Sequence, residues 1–312
     1  MDLYSIGEMV IDFTPGREPA SYIRNPGGAP ANVAIAMAKN GLETGMCCSL
    51  GDDDFGRFLK ETLEAHKVRC IIPKLCEEAV TTMAFVTLSP DGDRSFTFAR
   101  KPGADMFIRE EDVREEDIKD SVMIHAGSCS MSASPAAEAT VRALRLGREM
   151  GKLVSFDVNY RDVMWKGDQD ACAAKVMEVL PYVDLVKISD AEAGMLGGEA
   201  NIPEVMKRFG LTVVVETMGG DGAKCYFNDK VLFGAAVKGN CVDATGAGDA
   251  FWGGFLSYLR LQDISEAGQL TEEILTAALA YGNAAGGICV QGMGAIPSLP
   301  TRQQIEAQLA AN

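Results

Sequence analysis

The chain has 312 residues, 47% of them hydrophobic and 23% charged, the balance of a globular protein long enough to bury a large core. Its 29 basic and 44 acidic side chains leave a formal charge of −15, which argues against nucleic-acid or anionic-membrane partners but not against a small phosphorylated ligand held by local amides. With no apolar run of membrane-span length, no basic leader, nine cysteines without a C-x-x-C pair and two histidines outside ligand-type spacing, a cytoplasmic protein with reduced thiols and no zinc site is expected.

Leu3 to Phe13 reads as a first strand with acidic residues set into an apolar run. A carboxylate at the end of a strand in a parallel sheet lies where ligands gather, so Asp12 is either a hydroxyl binder or a solvated aspartate at a loop entry. Asn25 to Asn32 then opens a helix over 31–40 that Gly41 stops. Gly28 permits close approach to the backbone, and Asn32 offers a donor and an acceptor, unless the run is a plain turn with a capping asparagine. A strand over 44–50 leads to Asp52, Asp53 and Asp54, which cap a helix running through His66.

Met83 to Leu88 and Arg94 to Phe98 flank Pro90-Asp91-Gly92-Asp93, a hairpin signature. With residues near 15–25 it builds a small projecting sheet that serves as a lid, as a dimerisation surface, or as both. From there on, strands at 122–127, 153–158, 184–188 and 211–216 alternate with helices at 135–150, 168–180 and 201–209. This is the rhythm of an α/β fold with a mostly parallel sheet covered on both faces. No linker or repeat interrupts it, so residues 1–312 read as one domain with a lid from about 13–26 and 81–105.

Polar residues gather after the strands. Asp157 to Arg161 ends one and Lys187 to Glu192 the next, while Thr217 to Gly222 precedes a strand and so is neither a dinucleotide nor a P-loop motif, but either a ligand-binding strand end or a plain glycine hairpin. Asp243-Ala244-Thr245-Gly246-Ala247-Gly248-Asp249 feeds a helix marked by Phe251, Phe255 and Leu259. Its backbone amides and the helix dipole suit an anion, and Asp249 either takes a proton from a hydroxyl or only caps the helix. Asn283 is the polar residue to watch in the helix over 272–289, and the helix after Pro300 reads as structural.

Taken in order, Gly27-Gly28, Thr217-x-Gly219-x-x-Gly222, Asp243 to Asp249 and Gly294-Ala295 resemble the ribokinase or PfkB family of sugar kinases over nearly the whole chain. Gly7 to Phe13, Pro26 to Ala34, Ala84 to Leu88 and Phe98 to Asp105 are most similar to its fructokinase branch. The resemblance implies a ribokinase-like three-layer α/β/α domain with a small β lid and ATP-dependent phosphorylation of a sugar's terminal hydroxyl, that on C6 of D-fructose. It makes Asp249 the base and the amides of Gly246, Ala247 and Gly248 the stabilisers of the transferring phosphoryl group. It gives the sugar Asp12, Gly28, Asn32, Arg100, Asn159 and Arg161, and the adenosine Lys187, Thr217, Gly219, Gly222 and Asn283.

The same resemblance implies Mg²⁺ organised by Glu192 largely through water, with Ser189 standing where many relatives have Asn. It implies K⁺ beside Asp243, Thr245 and Ser298, while the lid hairpin itself offers a surface for a homodimer. Two alternatives stay open. Asp157-x-Asn159-x-Arg161 with Trp165 also occurs in 2-keto-3-deoxygluconate kinases, whereas Ala29 in place of the lysine of ribokinases argues against ribose. The non-enzyme alternative is a sugar-sensing regulatory protein on the same fold.

Overall fold

Strands as apolar as Val213–Thr217, whose three valines are fully buried, require cover on both faces, and they have it. The computed structural model describes residues 1–311 apart from 17, 19, 73 and 89–93. Its strands are β1 (Leu3–Ile6), β2 (Val10–Pro15), β3 (Tyr22–Gly27), β4 (Thr44–Cys47), β5 (Arg69–Cys70), β6 (Met83–Leu88), β7 (Arg94–Ala99), β8 (Met123–Gly127), β9 (Leu153–Asp157), β10 (Leu185–Ser189), β11 (Val213–Thr217), β12 (Ala223–Phe227) and β13 (Lys230–Gly234). The helices are α1 (Ala29–Lys39), α2 (Asp54–Ala65), α3 (Glu115–Lys119), α4 (Ala136–Glu149), α5 (Asp162–Trp165), α6 (Gln169–Val179), α7 (Ile202–Phe209), α8 (Ala247–Leu261), α9 (Glu272–Cys289), α10 (Ala295–Ser298) and α11 (Arg302–Ala310).

Nine strands form the central sheet in the order β13-β12-β11-β10-β9-β8-β1-β4-β5. All its pairings are parallel except β11 with β12 and β12 with β13. Successive side chains alternate between two cores. Leu3, Met123, Leu153, Leu185, Val213 and Val215 pack under α1, α2, α8 and α9, while Tyr4, Ile124, Val154, Val186 and Val214 pack under α3, α4, α6 and α7. The result is the expected three-layer α/β/α architecture.

The stretch from Leu3 to Phe13 is not one strand. Leu3–Ile6 belongs to the central sheet, whereas Val10–Pro15 starts a second sheet ordered β3-β2-β6-β7. An apolar run carries no mark of a change of sheet, since β1 and the start of β2 at Val10 and Ile11 are buried alike. The second sheet is mixed, with β2 and β6 parallel and its two outer pairings antiparallel. Phe13 stacks on Phe85 with centroids 4.9 Å apart and meets Phe55 of α2 edge-on at 5.6 Å, while Arg24 lies 3.7 Å over Phe58. The turn expected at Pro90-Asp91-Gly92-Asp93 lies outside the described residues. The strand expected over 44–50 ends at Cys47.

Helix α8 is wedged into its layer by two adjacent glycines. A Cβ on Gly253 would stand 2.5 Å from Cβ of Ala36 in α1, and one on Gly254 would stand 2.8 Å from Cβ of Ala285 in α9. Among the described residues no helix is long and apolar enough to cross a membrane.

Candidate active site

A cavity of about 680 Å³ opens where β9, β10 and β11 end, roofed by the small sheet. Asp12, Gly28, Asn32, Asn159, Arg161, Lys187, Glu192, Thr217, Thr245, Gly246, Gly248 and Asp249 all line it. These residues come from every part of the chain, and the ends of parallel strands bring them together.

The turn before α8 is built for an anion. Gly246 caps the helix with a φ of 78°, and a Cβ there would lie 2.5 Å from that of Ala295, so only glycine fits without strain. Fifteen residues of α8 aim their dipole at the cavity. The amide of Ala247 is committed to the Ala244 carbonyl at 3.2 Å, and Ala247 does not line the cavity, whereas Gly246 and Gly248 do. Asp243 pins the turn: its Oδ1 accepts from the Thr245 amide at 2.9 Å and hydroxyl at 2.7 Å, and its Oδ2 from the Gly294 amide at 2.9 Å.

Asp249 stands in the first turn of α8, yet the helix has no side-chain cap. Its Oδ2 instead accepts from Nδ2 of Asn32 in α1 at 2.7 Å. Burial raises its pKa above the ordinary aspartate value; the Asn32 bond lowers it, Asp157 raises it, and Lys187 and Arg161 lower it. Asp12 is pushed up to about 6 by burial, against the pull of Arg161.

Lys187 is nearly buried, and its ammonium is held by both oxygens of Asp157 at 3.0 and 2.8 Å. The same nitrogen would lie 3.4 Å from a Cβ on Gly248, at the mouth of α8. Burial works against its charge, but Asp157, Glu192 and Asp249 outweigh that cost and raise its pKa. An ammonium at the positive end of a helix is unfavourable unless an anion joins them. Beside it, burial and Lys187 push His125 down to about 3, so the ring is neutral; it shares the Ser155 hydroxyl with Nε1 of Trp252.

Glu192 ties two strand-end loops together, its Oε1 accepting from the Tyr160 amide at 2.6 Å and its Oε2 from the Ser189 amide at 2.7 Å. Other expected site residues lie outside the cavity lining. Arg100 is paired with Asp105, Nη2 to Oδ2 at 2.7 Å, and reaches Ser132. Asn283 donates to the Gly234 carbonyl at 3.0 Å, and Ser298 to that of Met293 at 3.2 Å. Gly219 and Gly222 lie beyond the rim formed by Thr217, and a Cβ on Gly219 would meet no atom within 4 Å.

A sequence profile of the pfkB family carbohydrate kinases matches residues 2–302. The chain belongs to this family. It is 38% identical to fructokinase-1 of Oryza sativa subsp. japonica over 311 residues, covering 96% of this chain and 95% of the relative. Two solved structures superpose over 99% of this carbohydrate kinase and 98% of their own length. Fructokinase from Xylella fastidiosa with bound ATP gives a TM-score of 0.91 at 29% identity, and that from Vibrio cholerae O395 with fructose, ADP and calcium ion gives 0.88 at 30%.

The cavity of the kinase also holds residues to which sequence reasoning gave no role. Val10 and Thr14 line it with Asp12, which strand alternation around Asp12 already implies. Val86 and Phe98 from the small sheet, Cys129 and Tyr160 left no such signal. Glu8 shows in the sequence only as one of the acids set into the apolar run from Leu3 to Phe13, with nothing to assign it a role.

Proposed function

We propose that this kinase transfers the γ-phosphoryl group of ATP to the C6 hydroxyl of D-fructose, working as a single catalytic unit with the small sheet as its lid. The observation that carries this reading is the meeting of Asp249, held by Asn32, with the glycine turn and the Lys187 ammonium in one cavity. Asp249 takes the proton of the attacking hydroxyl, and the raised pKa makes it a stronger base than an exposed aspartate. The amides of Gly246 and Gly248, the α8 dipole and Lys187 stabilise charge on the transferring group, while Val10, Val86 and Phe98 keep water out.

Asp12, Gly28, Asn32, Asn159 and Arg161 surround the sugar. Arg100, fastened to Asp105, acts on it through the loop it braces. The cavity wall itself favours a neutral ketose over a sugar acid. Glu8, Asp12, Asp162, Glu192 and Asp249 face two bases, Arg161 and Lys187, and Lys187 is already matched by Asp157. Adenine and ribose lie along the open loop from Thr217 to Gly222, near Asn283.

Mg²⁺ fits this site through water. Among the described residues no three acidic, cysteine or histidine side chains form a cage, and both Glu192 oxygens already accept amides, which leaves each a further lone pair for a hydrated ion. When bound, the ion neutralises charge on the ATP phosphates. Asp243, Thr245 and Ser298 border the turn where K⁺ is proposed, with the Asp243 carboxylate engaged by Thr245 and Gly294. A homodimer would form through the small sheet, where edge strand β3 leaves Tyr22 and Ile23 about half exposed. The test is kcat/KM with MgATP for fructose, 2-keto-3-deoxygluconate and ribose, with ADP and sugar phosphate as products. A preference for either of the other two sugars overturns the fructose assignment.

A further inference from the structure

Glu8 takes no part in the chemistry above, yet its surroundings are unusual. It stands at the crossing from β1 to the small sheet, lines the cavity and is 3% exposed. Its Oε1 accepts from the amide of Ala29, the first residue of α1, at 3.1 Å. Its Oε2 is buried and has no hydrogen-bond partner among the described residues. An orphaned carboxyl oxygen is costly and rare in a folded protein. Burial pushes its carboxyl up to about 7, its own amide and that of Ala29 pull it down, and Asp105 and Asp249 raise it further.

A second orphan belongs to the same helix end. Asn32, in the first turn of α1, gives its Nδ2 to Asp249, and its Oδ1 is buried without a partner among the described residues. Glu8 and Asn32 thus line one cavity, and each keeps one buried side-chain oxygen without a partner among the described residues. An anionic group would meet a second acid and an amide oxygen there, and an apolar group would leave both unpaired. Hydroxyl groups answer both, since each can donate, and a hydroxyl can also accept from the neutral form of Glu8.

We propose that Glu8 is a substrate-binding residue that sets acceptor specificity: with Asn32 it forms a two-oxygen subsite for neighbouring hydroxyls of the sugar other than the one phosphorylated. This deepens the fructokinase reading and rests on it.

The experiment compares native enzyme, Glu8→Met and Glu8→Gln on fructose and on its monodeoxy analogues. Steady-state kinetics is combined with calorimetric binding of fructose alone. Glu8→Met is expected to raise KM and Kd for fructose about 10- to 100-fold, with kcat and the KM for ATP within about threefold of native. Glu8→Gln, which keeps a polar atom at each oxygen position, is expected to recover a good part of that loss. One monodeoxy analogue that the native enzyme rejects should be used by Glu8→Met as well as fructose is. A uniform loss across all the sugars, or a fall in kcat with the fructose KM unchanged, overturns the proposal. If Glu8→Met does not fold, the analogue comparison is made on Glu8→Gln and decides in the same way. Should the native enzyme prefer another sugar, the fructokinase reading fails by itself, and the deoxy series of that sugar still decides the role of Glu8.

Discussion

Replacing Asp249 with Asn removes one titratable proton acceptor and almost nothing else. The amide is isosteric and can still accept from Nδ2 of Asn32, now 2.7 Å from the carboxylate. A positioned general base contributes roughly 10²- to 10⁴-fold, so kcat is expected to fall by that factor, about 3 to 5 kcal/mol of transition-state stabilisation. The KM values for fructose and ATP should change little, because the lining of the cavity is otherwise intact. Stability should move the other way. A carboxyl whose pKa is raised on folding binds its proton more tightly folded than unfolded, so the protein loses stability as the pH rises through the folded value. The neutral amide of the Asp249→Asn variant carries no such cost: its Tm should exceed that of native protein at about pH 8, the gap closing as the pH falls toward the ordinary aspartate range. ADP release at saturating substrates and thermal melts across pH are the assays. Near-native kcat would refute the base assignment, and a fall of kcat together with a broadened, lowered melt would show a structural role.

Three further changes address the same machinery. Asn32→Asp places a second acid against Asp249 and raises its pKa further, so the acid limb of the kcat profile should move to higher pH. Gly246→Ala meets both a φ of 78° and the Cβ of Ala295, and is expected to cost about 1–3 kcal/mol in denaturant unfolding and to lower kcat. Lys187→Met leaves Asp157 buried without its cation, a loss of about 3–5 kcal/mol, whereas Lys187→Met with Asp157→Leu should recover most of the stability in the same unfolding assay and none of the turnover.

The sheet was legible wherever one apolar run served one strand, as from β8 to β11, because burial on both faces writes itself into composition. It was illegible at Leu3 to Phe13, where the same composition serves two sheets. In the cavity wall, Gly246 and Gly248 of the glycine turn and Asn159 just past β9 stand where the local sequence puts them, whereas Asp12 reaches it from within β2 and not from a strand end. Pairings across the chain were not legible. Asn32 and Asp249 are separated by 217 residues, and Lys187 meets Asp157 only because β9 and β10 are adjacent. The position of the Lys187 ammonium at the mouth of α8 is likewise absent from its local sequence. The division of labour within Glu8, one oxygen bound and one orphaned, has no trace in sequence at all.

The glycine wedge of α8 has an evolutionary consequence. Gly253 and Gly254 seat the helix that carries Asp249 so tightly against Ala36 and Ala285 that mutations there are tested against the whole core. Val10, Thr14, Val86 and Phe98, facing the same cavity, belong to a second, four-stranded sheet whose inner residues Ile11, Phe13 and Met83 pack on the core beside α2. Inheritance can therefore hold one wall constant while it varies the other, and a designer can do the same. Libraries confined to the inward positions of β2, β6 and β7 would retarget the acceptor on an unaltered phosphoryl-transfer chassis.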